Sequence, residues 1–236
     1  MRLPNILNVV KSWFADWRAY VAEFLATFIF IFVVLAAFIV EGNLGDLGLV
    51  GISIVTGFSY AAMVFASVHL AGGFLNPAVT LALWLVGKIS SVKMIFFIIV
   101  QLLASIASAA LAGIVFGEGA TQSLYGLPTL GVGVELFNAV LLEVVLTGVL
   151  VFVIFATMVD RRASVSFGPL VLGLLLASLT AVSVPISGGF LNISRAFGPA
   201  VISQSWDMLA VWLIGPLAGS LMGIVYEVVF LRRGKK

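Results

Sequence analysis

The chain contains no cysteine at all and a single histidine, His69. Neither a disulfide framework nor thiolate chemistry is therefore available. One histidine also excludes a multi-histidine metal site within one chain, and no cofactor or metal is expected. Charge is scarce as well. Asp, Glu, Lys and Arg make up 9% of the 236 residues, whereas 62% are hydrophobic. A soluble domain of this size cannot keep its surface wet with so few charges. The apolar residues come in runs too long for buried core helices, and a helix crossing hydrocarbon needs about 20 mostly apolar residues. The chain reads as an integral membrane protein with no enzyme chemistry. Its first run carries Glu23 and lies beside no small-residue cleavage site, so it reads as a retained span rather than a removable signal.

Six candidate spans lie near 20–40, 49–68, 92–116, 136–159, 167–186 and 208–231. Six spans put both termini on one side, and the positive-inside rule can be applied to the connections. Arg2, Lys11 and Arg18 precede the first span, Lys88 and Lys93 fall between the second and third, and Arg161 and Arg162 between the fourth and fifth. Arg232, Arg233, Lys235 and Lys236 follow the last. Eleven of the twelve basic residues thus share one side, while Glu41, Asp46, Glu118 and Asp207 fall on the other. Residues 1–18 and 232–236 are expected to be cytoplasmic tails. The twelfth base, Arg195, lies in an outer connection of small and apolar residues.

Two connections are alike. Gly72-Gly73-Phe74-Leu75-Asn76 follows the second span and Gly188-Gly189-Phe190-Leu191-Asn192 the fifth, an identical GGFLN offset by 116 residues. Glu23 to Thr27 in the first span and Glu143 to Thr147 in the fourth share an E-x-x-x-T spacing. The chain is two related halves, about 20–118 and 136–231, forming a single channel domain over 1–236. Three spans per half force opposite orientations in the bilayer. Such inverted repeats place their site near the midplane, where the repeats meet.

The apolar stretch after each GGFLN, Pro77 to Val86 and Ile193 to about Ser203, is too short to cross a bilayer at 1.5 Å per residue. Each reads as a loop that re-enters the membrane and ends in a half-length helix. Asparagine suits the N-cap, and Pro77 suits the first helical position. Irregular backbone at membrane depth is tolerated where it is buried or lines a water-filled cavity. The two half-helices enter from opposite faces, so their positive dipole ends converge on the centre and repel cations there. Asn76 and Asn192 would each offer an amide donor to a passing oxygen.

The Asn76-Pro77-Ala78 loop, its Asn192-Ile193-Ser194 partner and the following Arg195 resemble the paired NPA motifs of the aquaporin/aquaglyceroporin (major intrinsic protein) family. The resemblance extends from Ala22-Glu23-Phe24 through Gln101 and Phe197-Gly198 to Gly215-Pro216, essentially the whole chain. It implies an all-α membrane protein: an aquaporin-like right-handed bundle of six transmembrane helices plus two re-entrant half-helices, in an inverted 3+3 repeat. The second motif departs from the family pattern, with Ile193 for proline and Ser194 for alanine. Capping depends mainly on the asparagine, so the half-helix is expected to form, and the substitutions bear on local pore width.

The resemblance also implies an outer selectivity filter at Thr56, Thr180, Gly189 and Arg195. Water-selective members are similar to one another in carrying a bulky aromatic and a histidine where this chain has Thr56 and Thr180. Glycerol facilitators pair aromatics with their arginine and follow it with aspartate, where this chain has Ala196. The expectation is a wide, hydroxyl-lined filter passing water and glycerol- or urea-like solutes while excluding ions and protons; a strictly water-selective pore is the alternative. Arg195 as a mere interfacial anchor is the plainer reading of that residue.

Glu23 and Glu143 lie inside spans, where ionisable residues are functional hypotheses. They read either as acceptors for the backbone of their own half's loop or as a proton relay, which would make the chain a proton-coupled carrier. His69 matches a family position at the cytoplasmic mouth, with either a structural role or one in tuning conduction by pH. A non-conducting structural member of the fold is the third class of reading. Gly57, Gly173, Gly219 and Gly223 read as close helix contacts, and Trp13, Trp17 and Trp206 as interfacial anchors. The resemblance implies a homotetramer with one pore per subunit. Its partners are membrane lipids, water and small neutral solutes, with no nucleic acid. The short tails suggest a minimal prokaryotic-type channel in the plasma membrane.

Overall fold

The computed structural model describes residues 16–163 and 167–231. Arg2, Lys11, Trp13, Arg232, Arg233, Lys235 and Lys236 lie outside the described residues. Among the described residues, five helices are long and apolar enough to cross a membrane: α1 (Trp17–Leu44), α2 (Gly48–Ser67), α4 (Ser91–Phe116), α5 (Leu136–Val159) and α8 (Ala210–Leu231). A sixth, α6 (Gly168–Ser183), is equally apolar but has 16 residues. Between them sit the half-length helices α3 (Pro77–Leu85) and α7 (Ile193–Ser203).

The ends of these elements follow from local chemistry. Asn76 and Asn192 both adopt extended backbone, and the side-chain oxygen of each accepts the amide of the second residue into its helix, Ala78 or Ser194, at 2.9 Å. Ser90 caps α4 in the same way through Lys93 N. Helix α2 has no cap in its own turn; Glu41, at the end of α1, accepts from Leu47 N and Gly48 N instead. Helix α8 is not regular. It opens with a π-type turn over Ala210–Ile214 and closes with another over Glu227–Leu231. Pro216 has no N–H to give the carbonyl four residues earlier, which breaks the α ladder at that point. Helix α5 widens likewise over Phe155–Val159.

The inverted repeat governs the packing. Helix α2 packs along α6, its counterpart, and the crossing is tight at two related glycines. A methyl on Gly57 would sit 2.3 Å from the Gly173 carbonyl oxygen, and one on Gly173 would sit 2.6 Å from that of Gly57. Helices α1 and α4 pair as α5 and α8 do, and α4 packs on half-helix α7 as α8 does on α3. Gly219 and Gly223 meet Thr147 and Phe155 across the α5–α8 contact. The inner faces form one apolar core from Phe30, Val34 and Leu35 to Leu150, Leu172 and Leu176. Large apolar side chains on the outer faces, such as Phe58, Ile114 and Phe137, are exposed as lipid-facing residues should be. Trp17 and Trp206 are exposed near helix ends.

Candidate functional site

The two GGFLN segments share one backbone conformation. Gly72 and Gly188, then Gly73 and Gly189, all have positive φ, and Leu75 and Leu191 take φ of 53° and 52°. A left-handed leucine costs roughly 1–2 kcal/mol, so something must hold it. Leu75 N donates to Glu23 Oε1 at 2.6 Å, and Leu191 N donates to Glu143 Oε2 at 2.7 Å. The carbonyls of the same leucines turn the other way. Leu191 O accepts from Asn76 Nδ2 and Leu75 O from Asn192 Nδ2, both at 2.8 Å. Each asparagine therefore caps its own half-helix and fastens the opposite loop.

Both membrane carboxylates lie behind these loops, fully buried. Glu23 Oε1 also accepts from Gln101 Nε2 on α4, which in turn meets Thr80 on half-helix α3. Glu143 accepts from Ser187 Oγ and Phe190 N on Oε1 in addition to its bond from Leu191. Neither glutamate lines a cavity described here. Ser105 on α4 was missed by the sequence reading; its hydroxyl donates to Ser194 O and accepts from Gly198 N at 2.7 Å, binding α7 to α4.

A cavity of about 20 Å³ runs between the loops, lined by Thr56, Thr180, Gly189 and Arg195 together with Asn76 and Asn192. The six residues come from α2, α6 and both re-entrant segments. Pro77, Ala78, Ile193 and Ser194 do not line it. Ala78 and Ser194 are fully buried, and Ile193 packs among Phe190, Val211 and Trp212. The substituted positions of the second motif thus face the protein rather than the cavity. A second cavity of about 250 Å³ lies toward the other end, walled by Val64, Val68, Phe74, Ile154, Met158 and Leu172. His69 lines neither; it is exposed in the turn after α2.

Arg195 is 3% exposed and has no carboxylate partner among the described residues. Its Nη2 donates to the Gly126 carbonyl at 2.7 Å, and its guanidinium carbon lies 4.2 Å from the centre of the Phe38 ring. A carbonyl and an aromatic face stabilise a cation without neutralising it. Nε and Nη1 have no hydrogen-bond partner among the described residues. Phe38 and Gly126 were not anticipated. Phe38 lies four residues beyond Val34 and eight beyond Phe30, and all three line the cavity on one face of α1. That spacing was the available signal. The cavity as a whole offers fixed positive charge, amides and hydroxyls, and no nucleophile–base pair.

The chain matches the family described as major intrinsic protein over residues 9–226. It is 37% identical over 223 residues to a probable aquaporin TIP4-1 of Oryza sativa subsp. japonica, covering 91% of this chain and 87% of that one. Aquaporin TIP2-3 of Arabidopsis thaliana is 35% identical over 225 residues, with 91% and 88% covered. In fold, the chain superposes on the X-ray structure of the aquaglyceroporin from Plasmodium falciparum with a TM-score of 0.83 at 20% identity, covering 93% of this chain and 98% of that one.

Proposed function

The chain belongs to the major intrinsic protein family as a multi-pass membrane channel and not an enzyme, and from that premise we propose that its pore passes small uncharged solutes of the water, urea and glycerol class while excluding ions. The observation that carries the reading is the meeting of Thr56, Thr180, Gly189 and Arg195 around one cavity. Two threonine hydroxyls can donate and accept, Gly189 leaves room, and Arg195 keeps Nε and Nη1 for a solute oxygen. A hydrated cation entering here must shed water opposite a buried guanidinium and two converging half-helix N-termini, and none of these offsets that loss. Asn76 and Asn192 each spend one amide N–H on the opposite loop and retain the other for the solute.

One observation favours a strictly water-selective pore. The filter cavity is about 20 Å³, and a space of roughly 10–15 Å³ holds one water. A proton-coupled carrier is less well supported, because Glu23 and Glu143 are engaged with loop backbone rather than facing the cavity.

In this reading both termini are cytoplasmic. The contacts Lys93–Asp16, Lys88–Glu227 and Arg162 to Phe230 O gather basic residues at one end of the bundle, and Glu41, Asp46 and Glu118 belong to the other. The chain acts as one channel domain with halves about 20–118 and 136–231. A homotetramer in the plasma membrane completes the proposal, testable by mass in detergent and by membrane fractionation.

Stopped-flow light scattering on proteoliposomes is the direct test, comparing water shrinkage with urea and glycerol re-swelling for the parent, Arg195→Ala and Thr56→Phe. Fast re-swelling that Thr56→Phe abolishes while water flux persists supports the wide filter. Fast water flux with no solute entry in the parent transfers the assignment to a water channel.

A further inference from the structure

The filter positions on α2 and α6 carry threonine, yet the guanidinium of Arg195 still faces an aromatic ring, and that ring comes from α1. Phe38 borders the narrow cavity beside Arg195. It also borders two outer recesses of about 150 and 250 Å³, the first shared with Leu127, Pro128 and Gly188, the second with Gly42, Leu124 and Gly126. Among the residues that line the narrow cavity, Phe38 alone adjoins both recesses. Phe38 thus stands between about 20 Å³ of pore and much larger space outside.

Its position is fixed from both sides. Gly126 presses on α1 so closely that an added methyl would lie 3.0 Å from Leu35 O and 3.3 Å from Phe38 Cβ. The carbonyl of that same glycine accepts from Arg195. Ring, guanidinium and carbonyl therefore form one contact set, and a solute passing Arg195 passes the ring.

We propose that Phe38 sets the upper size of solute this channel admits, acting as a specificity-determining residue supplied by α1 in place of aromatics at Thr56 and Thr180. The inference rests on the channel reading above and names the residue that decides between its water-only and polyol-passing forms. Removing the ring merges the narrow segment with the outer recesses. Enlarging it closes the remaining space.

The test uses the full chain in proteoliposomes with Phe38→Ala, Phe38→Leu and Phe38→Trp, each checked for monodisperse elution. Water, urea, glycerol and a four-carbon polyol are compared. The glycerol-to-water permeability ratio should rise about tenfold in Phe38→Ala, the factor carried by about 1.4 kcal/mol of barrier. It should rise less in Phe38→Leu and fall below the parent in Phe38→Trp. Were Phe38→Ala not to fold, Phe38→Leu and Phe38→Trp shifting the ratio in opposite directions would still support the proposal. A folded variant series with the parent's size cut-off overturns it and leaves the channel reading intact. A parent that passes only water, with Phe38→Ala admitting urea and glycerol, overturns the wide filter and supports the role of Phe38.

Discussion

Asn76 and Asn192 are exchanged partners: each amide donates at 2.8 Å to the carbonyl of the leucine preceding the other. Each side-chain oxygen also caps its own half-helix at 2.9 Å. Replacing either asparagine by alanine removes both bonds at once. Loss of the cap costs about 1 kcal/mol, and a buried leucine carbonyl left without a donor adds roughly 1–3 kcal/mol. Asn76→Ala and Asn192→Ala should therefore each lower the thermal midpoint in detergent. Because the bonds are coupled through the same two loops, the double variant should lose less than the sum of the single losses. Strict additivity would show that the two loops are held independently.

The two buried glutamates are symmetric in position but not in bonding, and substitution by glutamine separates them. Glu23 accepts from Leu75 N and Gln101 Nε2 on the same oxygen, Oε1, and Oε2 has no hydrogen-bond partner among the described residues. A glutamine with its carbonyl in place of Oε1 keeps both bonds and puts its amide nitrogen where Oε2 has no partner among the described residues. Glu143 accepts on both oxygens, so glutamine must turn an amide N–H toward either Leu191 N or the Ser187–Phe190 pair. Glu143→Gln should cost roughly 1–3 kcal/mol more than Glu23→Gln, read as thermal midpoints of the purified chain. Folded variants of both should still conduct down a gradient, with flux indifferent to an imposed pH difference. Loss of uphill, pH-driven accumulation in either variant would instead reveal a carrier.

Much of this was legible in sequence because it is carried by side chains of distinctive chemistry. The repeated GGFLN announces two loops, and asparagine announces two caps; α3 and α7 begin where those caps place them. The four residues taken from the family resemblance meet in one cavity. Phe38 was harder to read: its spacing from Phe30 and Val34 is a signal, but residues 28–40 of α1 are apolar on every face, so a phenylalanine there reads as a lipid or core contact. Gly126 was not legible: it acts through a backbone carbonyl, which no side chain advertises. The interruption of α8 was signalled by Pro216, but hydropathy averages over it and the run 208–231 reads as one helix. His69 illustrates the converse. Its rarity drew notice, while exposure in a turn leaves it outside both cavities.

Gly57 and Gly173 make the α2–α6 crossing the place least tolerant of added volume. A methyl on Gly57 would meet Gly173 O at 2.3 Å and Ala177 Cβ at 2.6 Å. Backbone cannot move aside as a flexible side chain can, so Gly57→Ala should destabilise by about 1–3 kcal/mol or more and reduce the yield of folded channel. Gly42 provides the control. It is helical, and its added methyl would meet only Ser123 Cβ at 3.5 Å. Gly42→Ala should be neutral or stabilising, by up to about 1 kcal/mol from helix propensity. Equal effects of the two substitutions on thermal midpoint would contradict the close packing described here.

Beyond the end of α5, Asp160 ties the following connection to α8. Arg162 donates to it from Nε and Nη2 and from its backbone N, and Tyr226 on α8 donates from its hydroxyl at 3.2 Å. Arg162 Nη2 also reaches Phe230 O on α8. The hydrogen bonds from the Arg162 side chain, then from its backbone, hold the Asp160 carboxyl well below the ordinary carboxylate range. A depressed folded-state value fixes the sign of the pH dependence. The stabilisation is fully present above the unfolded value of about 3.9, and it is lost as pH falls through the lower folded value. From about pH 8 to about pH 5 the clamp should therefore be constant. Asp160→Asn should lower the thermal midpoint by the same amount throughout that window, and the gap between variant and parent should narrow only in stronger acid. A gap that vanished near neutral pH would mean that another titrating group, not this carboxylate, controls how the connection is tied to α8.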